Sequence, residues 1–166
     1  IWQTVWLEPV PKTYIHDIRM TPDIDKGVLK LHVDASGSDA VTIKVRDGDK
    51  LIGTTTGKAN EDLSIPVPHA KLWSPDQPFR YGLEITFGKD AVSSYFGMRK
   101  IQIGKVGKFN RILLNNKYVF ERGPLDQGFW PDGIYTAPTD DALKSDIASM
   151  KALGFNMVRK HIKVEP

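Results

Sequence analysis

Whatever chemistry this 166-residue chain supports must come from imidazoles, carboxylates, amides and cations, because it contains no cysteine. Without thiols there is no disulfide framework and no sulfur ligand for zinc or iron. The four histidines, His16, His32, His69 and His161, include no pair four residues apart that would set two rings on one helical face. Neither a metal site nor a cofactor is expected. The residues best suited to chemistry gather late in the chain. Asp126 and Gln127 come first, Trp130 and Asp132 follow, and Arg159, Lys160 and His161 close the series. Asp126 and Asp132 do not read as an acid/base pair, since Asp132 falls in a Pro131-Asp132-Gly133 turn.

Charge excludes one class of partner. Residues 1–103 balance 13 basic against 13 acidic side chains, and residues 104–166 carry 10 against 7. The excess is small, and the densest basic group is Arg159, Lys160 and Lys163, too few to displace the counterions of a nucleic acid. No nucleic-acid partner is expected. No run approaches the roughly 20 apolar residues of a membrane span, and no basic stretch leads into an apolar one at the start. A soluble chain with no membrane partner is expected. It opens at Ile1-Trp2-Gln3 inside an apolar segment and without Met, which points to a natural start upstream and leaves a periplasmic or secreted location open.

The elements that position these residues fall into two grammars. From about residue 13 to residue 103 apolar residues alternate with polar ones, as in a sheet with one face on a core. Leu29, Leu31 and Val33 form one such run; Val41, Ile43 and Val45 form a second, closed by an Asp47-Gly48 turn. Leu63, Ile65 and Val67 continue the parity, with Pro66 and Pro68 confining that run to an edge. Leu83, Ile85 and Phe87 follow, a last run covers Ser93 to Ile103, and Tyr14 to Met20 precedes them all. Six or seven strands in about ninety residues, with no helical period, predict an immunoglobulin-like antiparallel β-sandwich.

After Gly104 the pattern changes. Ile112-Leu113-Leu114, Asn115-Asn116 and Tyr118-Val119-Phe120 predict a small hairpin, Asn being the non-glycine residue that best tolerates the left-handed region. An extended piece follows around Gly123 to Gly128, then a loop to Pro138. Thr139 is positioned to cap a helix whose first turn holds Asp140 and Asp141, whose apolar stripe is Leu143, Ile147, Met150 and Leu153, and whose exit is Gly154. Phe155 to Val158 reads as a buried strand. Strand, helix and strand in about forty residues make one βαβ unit with parallel strands, and one such unit cannot bury both faces of its sheet. The expected fold is therefore mainly β: a sandwich followed by an incomplete (β/α) barrel start.

Leu72-Trp73-Ser74-Pro75 with Pro78 and Tyr81, then Phe96-Gly97-Met98-Arg99-Lys100, then Leu114-Asn115-Asn116-Lys117, resemble glycoside hydrolase family 2, the beta-galactosidase, beta-glucuronidase and beta-mannosidase group. The resemblance implies that residues 1–10 are the end of a jelly-roll sugar-binding domain, to whose final strand Ile1 to Glu8 is similar, or a linker. It implies a sandwich over 11–103 and the N-terminal fragment of a TIM-barrel catalytic domain over 104–166. Barrel sites lie at the carboxyl ends of strands. That places Asp126 and Trp130 as a hydroxyl acceptor and a stacking platform for a sugar, against the alternatives of an Arg-paired carboxylate and a loop-anchoring indole. Arg159 matches the arginine that holds the nucleophilic carboxylate in this family. His161, two residues on where many members have the histidine three on, reads as a substrate contact or a plain strand exit. Trp73 and Tyr81 read as packing residues.

The resemblance further implies a retaining glycoside hydrolase acting on beta-glycosides, whose partner is an oligosaccharide or glycoside. Retention needs two carboxyl groups about 5 to 5.5 Å apart. In the family both are glutamates on later strands, and none of Glu8, Glu61, Glu84, Glu121 and Glu165 stands in such a context. The segment alone is thus expected to be inactive while its parent is not, and its unfinished barrel is expected to fold back against the sandwich, to pair between chains or to be poorly ordered. The competing reading is a non-catalytic sandwich that binds a carbohydrate or a protein.

Overall fold

The computed structural model describes residues 5–162. Half of the expected jelly-roll strand, residues 1–4, and Lys163 and Glu165 lie outside them; residues 5–11 have no regular secondary structure. The chain forms two compact units, one of residues 8–119 and one that joins residues 120–162 with 5–7.

The first unit is a sandwich of three strands on four. One sheet has the order β1 (Tyr14–Asp23), β2 (Val28–Ser36), β5 (Asp62–Pro66); the other has β4 (Lys50–Lys58), β3 (Ala40–Asp47), β6 (Tyr81–Phe87), β7 (Asp90–Phe96). All pairings are antiparallel. The alternation read from sequence is the alternation of burial. Leu29, Leu31 and Val33 meet Val41, Ile43, Val45, Leu83, Ile85 and Phe87 in a core from which water is excluded. Pro66 sits on the edge strand β5, as its missing N–H requires.

One expected run divides. Ser93 to Ile103 is not one strand: β7 ends at Phe96, and β8 (Ile101–Val106) belongs to a separate sheet with β9 (Phe109–Leu114) and β10 (Lys117–Tyr118), ordered β10-β9-β8. The break falls at Gly97 and Met98. A Cβ at Gly97 would press on the Trp73 side chain at 3.1 Å, and the Trp73 N–H donates to the Met98 carbonyl at 3.0 Å. The Leu72 to Pro75 segment thus docks where the sheet would have continued. Tyr81, 2% exposed, stacks on Phe96 and accepts the Lys71 N–H on its hydroxyl at 2.7 Å. These aromatic residues pack, as the sequence suggests.

The β9–β10 hairpin has the two-residue turn expected: Asn115 and Asn116 adopt φ of 51° and 66°. Asn116 donates to Asp25 at 2.8 Å, and Lys100 pairs with the same carboxylate. Those bonds, Lys100 first, hold the Asp25 carboxyl below its ordinary pKa; the Lys26 backbone N–H, followed by Lys30, does the same for Asp23. A carboxyl whose folded pKa lies below its unfolded value, here 3.8, contributes stability that is complete above that value. The contribution disappears as pH falls through the folded pKa. The urea midpoint of the sandwich should therefore drop below pH 3.8, and Asp25→Asn should make that acid limb shallower. A limb of unchanged slope in a titration from about pH 5 to about pH 2 would refute this role.

In the second unit β11 (Leu125–Asp126) pairs in parallel with β12 (Arg159–Lys160), and α1 (Asp140–Ala152) connects them, the βαβ order expected. Thr139 caps α1 by accepting the Ala142 N–H at 3.1 Å. The second strand begins later than Phe155. Asn156 and Met157 both donate their N–H to the Arg122 carbonyl, while the Asn156 side chain accepts the Arg122 N–H and donates to the Phe120 carbonyl. A side chain thus replaces the ladder over 155–158, and regular pairing resumes only at Arg159. The helix stripe is not buried among the described residues: Ile147 is 66% and Leu153 76% exposed. No closed barrel forms among them.

Candidate functional site

Regular parallel pairing gathers the late polar residues. The Arg159 N–H donates to the Pro124 carbonyl at 2.9 Å and the His161 N–H to the Asp126 carbonyl at 2.8 Å, so the two strands run level and end together. Asp126 lies opposite Lys160, and Leu125 opposite Arg159. Side chains alternate along a strand, so Asp126 and Lys160 share one face and Arg159 projects from the other.

Asp126 is held by both oxygens. Lys160 Nζ donates to Oδ2 at 2.8 Å, and the Gly128 N–H donates to Oδ1 at 2.7 Å. The first bond is charge-assisted between side chains only 28% and 31% exposed. The second is an Asx turn that bends the chain into the loop. Gln127 extends its amide to His161 Nδ1 at 3.2 Å. With the amide donating, Nδ1 is the acceptor of that bond.

Beyond Gly128 the chain closes a turn over Pro131, Asp132 and Gly133, with Trp130 and Ile134 each donating to the other's carbonyl at 2.8 and 3.0 Å. Asp132 is thus a turn residue. Trp130 is half-buried beside that turn, and Phe129 rather than Trp130 lines the depression at the end of β11. The opposite wall is Asp146, Ser149, Met150 and Leu153 of α1.

Structure therefore brings Asp126, Gln127, Lys160 and His161 to the ends of two level strands as two separate pairs, Asp126 with Lys160 and Gln127 with His161, with Arg159 on the face opposite Asp126 and Trp130 in the loop beyond. Asp146 is an addition that sequence reasoning did not single out, and the pairing of Lys160 with Asp126 is one it did not foresee. The signal for Lys160 was register, since parallel strands ending together set it beside Asp126. The signal for Asp146 was spacing, since 146, 149, 150 and 153 fall on one helical face. The Arg159 guanidinium is exposed and pairs with no carboxylate among the described residues. No group of three histidines or carboxylates suited to a metal occurs among them. The pairs offer acceptors, amide and imidazole donors and a cation, groups that bind hydroxyls, and the Asp126 carboxylate is already engaged by Lys160 and the Gly128 N–H.

Comparison with known proteins bears on this arrangement. The model of the family described as Glycosyl hydrolases family 2 matches residues 13–99. A beta-galactosidase of Lactococcus lactis subsp. lactis (strain IL1403) is 31% identical over 96% of this chain, and a beta-glucuronidase of Rattus norvegicus is 29% identical over 73%. The chain spans 16% and 20% of their lengths. Among solved structures, Ruminococcus gnavus beta-glucuronidase in complex with uronic isofagomine superposes with a TM-score of 0.82 at 21% identity, covering 93% of this chain and 26% of that one. Faecalibacterium prausnitzii beta-glucuronidase superposes at 0.79 and 24% identity, over 92% and 25%. At such identities these structures speak for the fold.

Proposed function

The chain belongs to glycosyl hydrolases family 2, and from that premise we propose that it is a segment of a retaining hydrolase of beta-glycosides. In this reading residues 1–10 end a jelly-roll sugar-binding domain, 11–103 are the sandwich, and 104–166 open the catalytic barrel. Asp126 and His161 contact substrate hydroxyls at the strand ends. Lys160 and the Gly128 N–H fix the Asp126 carboxylate by one bond to each oxygen. Trp130 supplies an aromatic surface in the adjoining loop. Arg159, with no carboxylate partner of its own among the described residues, is the supporting cation that orients a nucleophilic carboxylate from elsewhere in the parent. The catalytic carboxyl pair lies outside the segment, which therefore binds and positions without cleaving.

The observation that carries this reading is the cluster of Asp126, Gln127, Lys160 and His161 at the carboxyl ends of two parallel strands, where barrel enzymes hold their substrates. Incubation with aryl beta-glycosides tests it. The 166-residue chain should show no turnover, a longer polypeptide that includes it should, and Arg159→Lys in the longer form should lower kcat by about tenfold or more, since a point charge cannot replace a bidentate fork. Turnover by the 166-residue chain that vanishes in Asp126→Asn would overturn it.

A further inference from the structure

The sheet of β8, β9 and β10 concentrates the positive charge of the chain. Residues 101–120 contain Lys105, Lys108, Arg111 and Lys117 and no acidic residue. None of the four forms an ion pair among the described residues, although their neighbours in the sandwich do so repeatedly. Two of these cations are organised by exposed rings. Arg111 sits between Phe109 and Tyr118, its guanidinium carbon 5.3 Å from one ring centroid and 5.6 Å from the other, and Lys108 Nζ lies 5.5 Å from Phe109. The rings are 54% and 43% exposed. Gly104 lies opposite Arg111 on β8 and presents no side chain there, and Leu113 packs over it.

What sets this sheet apart is that two cations share two open rings where no carboxylate of the same sheet competes for them. An ordered guanidinium between two aromatic rings has its fork of donors prepared for a planar, two-oxygen anion, and the rings beside it offer flat apolar surface. We infer that this cation and aromatic cluster on the β8–β10 sheet is an auxiliary binding surface for an acidic polysaccharide, with uronate carboxylates on Arg111 and Lys108 and pyranose faces on Phe109 and Tyr118. Charge complementarity selects the anion. The choice of a glycan over a nucleic acid rests on the glycosidase reading above.

The test is binding of polygalacturonate to the 166-residue chain by isothermal titration, with dextran as the neutral comparator and oligothymidylate as the nucleic-acid comparator. Polygalacturonate should bind, and binding should weaken as salt is raised. Arg111→Ala should lower the affinity by about tenfold, Arg111→Lys by less, and Phe109→Ala by several-fold. Lys89→Ala, a cation in another turn, should leave it unchanged, and all variants should keep the strand signal in circular dichroism. Equal affinity of Arg111→Ala and the parent chain, or oligothymidylate binding as tightly as polygalacturonate, would overturn the inference. Failure to bind by a chain whose longer form still hydrolyses aryl glycosides would count against this surface and leave the glycosidase reading intact.

Discussion

Phe87→Ala is expected to destabilise the sandwich by about 3–5 kcal/mol, while Ile147→Ala on α1 changes its own unit by about 0.5 kcal/mol or less. Phe87 is fully buried at the end of β6, where it lies opposite Val41 and Asp90 in the ladder and within 3.5 Å of the position a Cβ would take at Gly37. Removing the ring leaves a cavity that sheets pinned on both sides by antiparallel pairing do not close. Ile147 is 66% exposed and leaves no cavity. Amide exchange in β2, β3 and β6 measures the first effect, and exchange in α1 the second. Two units of such different burial are not expected to unfold in one step, so site-resolved exchange is the proper observable rather than a single melting curve. Uniform acceleration of exchange in both units by Phe87→Ala would show them to be one cooperative body.

The same contrast explains what could be read from the residues. β2, β3 and β6 were legible because their inward positions are Leu, Val, Ile and Phe, with only Ala35 and Tyr81 besides, and the edge position of β5 followed from Pro66. β4 was not legible, for a steric reason. Its register sets Gly53, Thr55 and Gly57 opposite Val45, Ile43 and Val41, so its core-facing positions carry almost no apolar side chain. There the two sheets close on each other: a Cβ at Gly53 would stand 2.9 Å from the Pro66 carbonyl, and one at Gly57 would strike Leu63. A strand that contributes closeness instead of volume leaves no hydrophobic period to find. The late strand was misplaced for a related reason, since Asn156 satisfies by side chain what a ladder would satisfy by backbone. For the site, Asp126 and His161 were legible as strand-end residues because strand ends are marked by a change from apolar to polar. Their mutual placement, and the pairing of Asp126 with Lys160, depend on a one-residue register between β11 and β12 that neither segment encodes alone.

Asn115→Ala is expected to cost about 3 kcal/mol, although the residue lies in a two-residue turn, where substitutions are usually tolerated. Three separate losses fall on it. Its backbone holds φ at 51°, where an alanine Cβ meets the carbonyl oxygen at about 1 kcal/mol or more. Its Oδ1 accepts the Lys100 N–H at 3.0 Å and its Nδ2 donates to the Trp73 carbonyl at 2.9 Å, each part-buried and each worth about 1 kcal/mol. Its own N–H returns to the Lys100 carbonyl at 2.8 Å, so backbone and side chain together tie the hairpin to the start of β8 and to the docked tryptophan segment. Asn115→Asp discriminates among these contributions, because it tolerates the same φ and keeps the acceptor for Lys100 while removing only the donor to Trp73. It should recover about two-thirds of the loss at neutral pH. Asn115→Gly, which relieves φ and removes both side-chain bonds, should recover about one-third. Urea midpoints of the three variants rank the contributions: if glycine restored full stability, the turn conformation alone would account for Asn115, and the link from hairpin to Trp73 would carry no stability of its own.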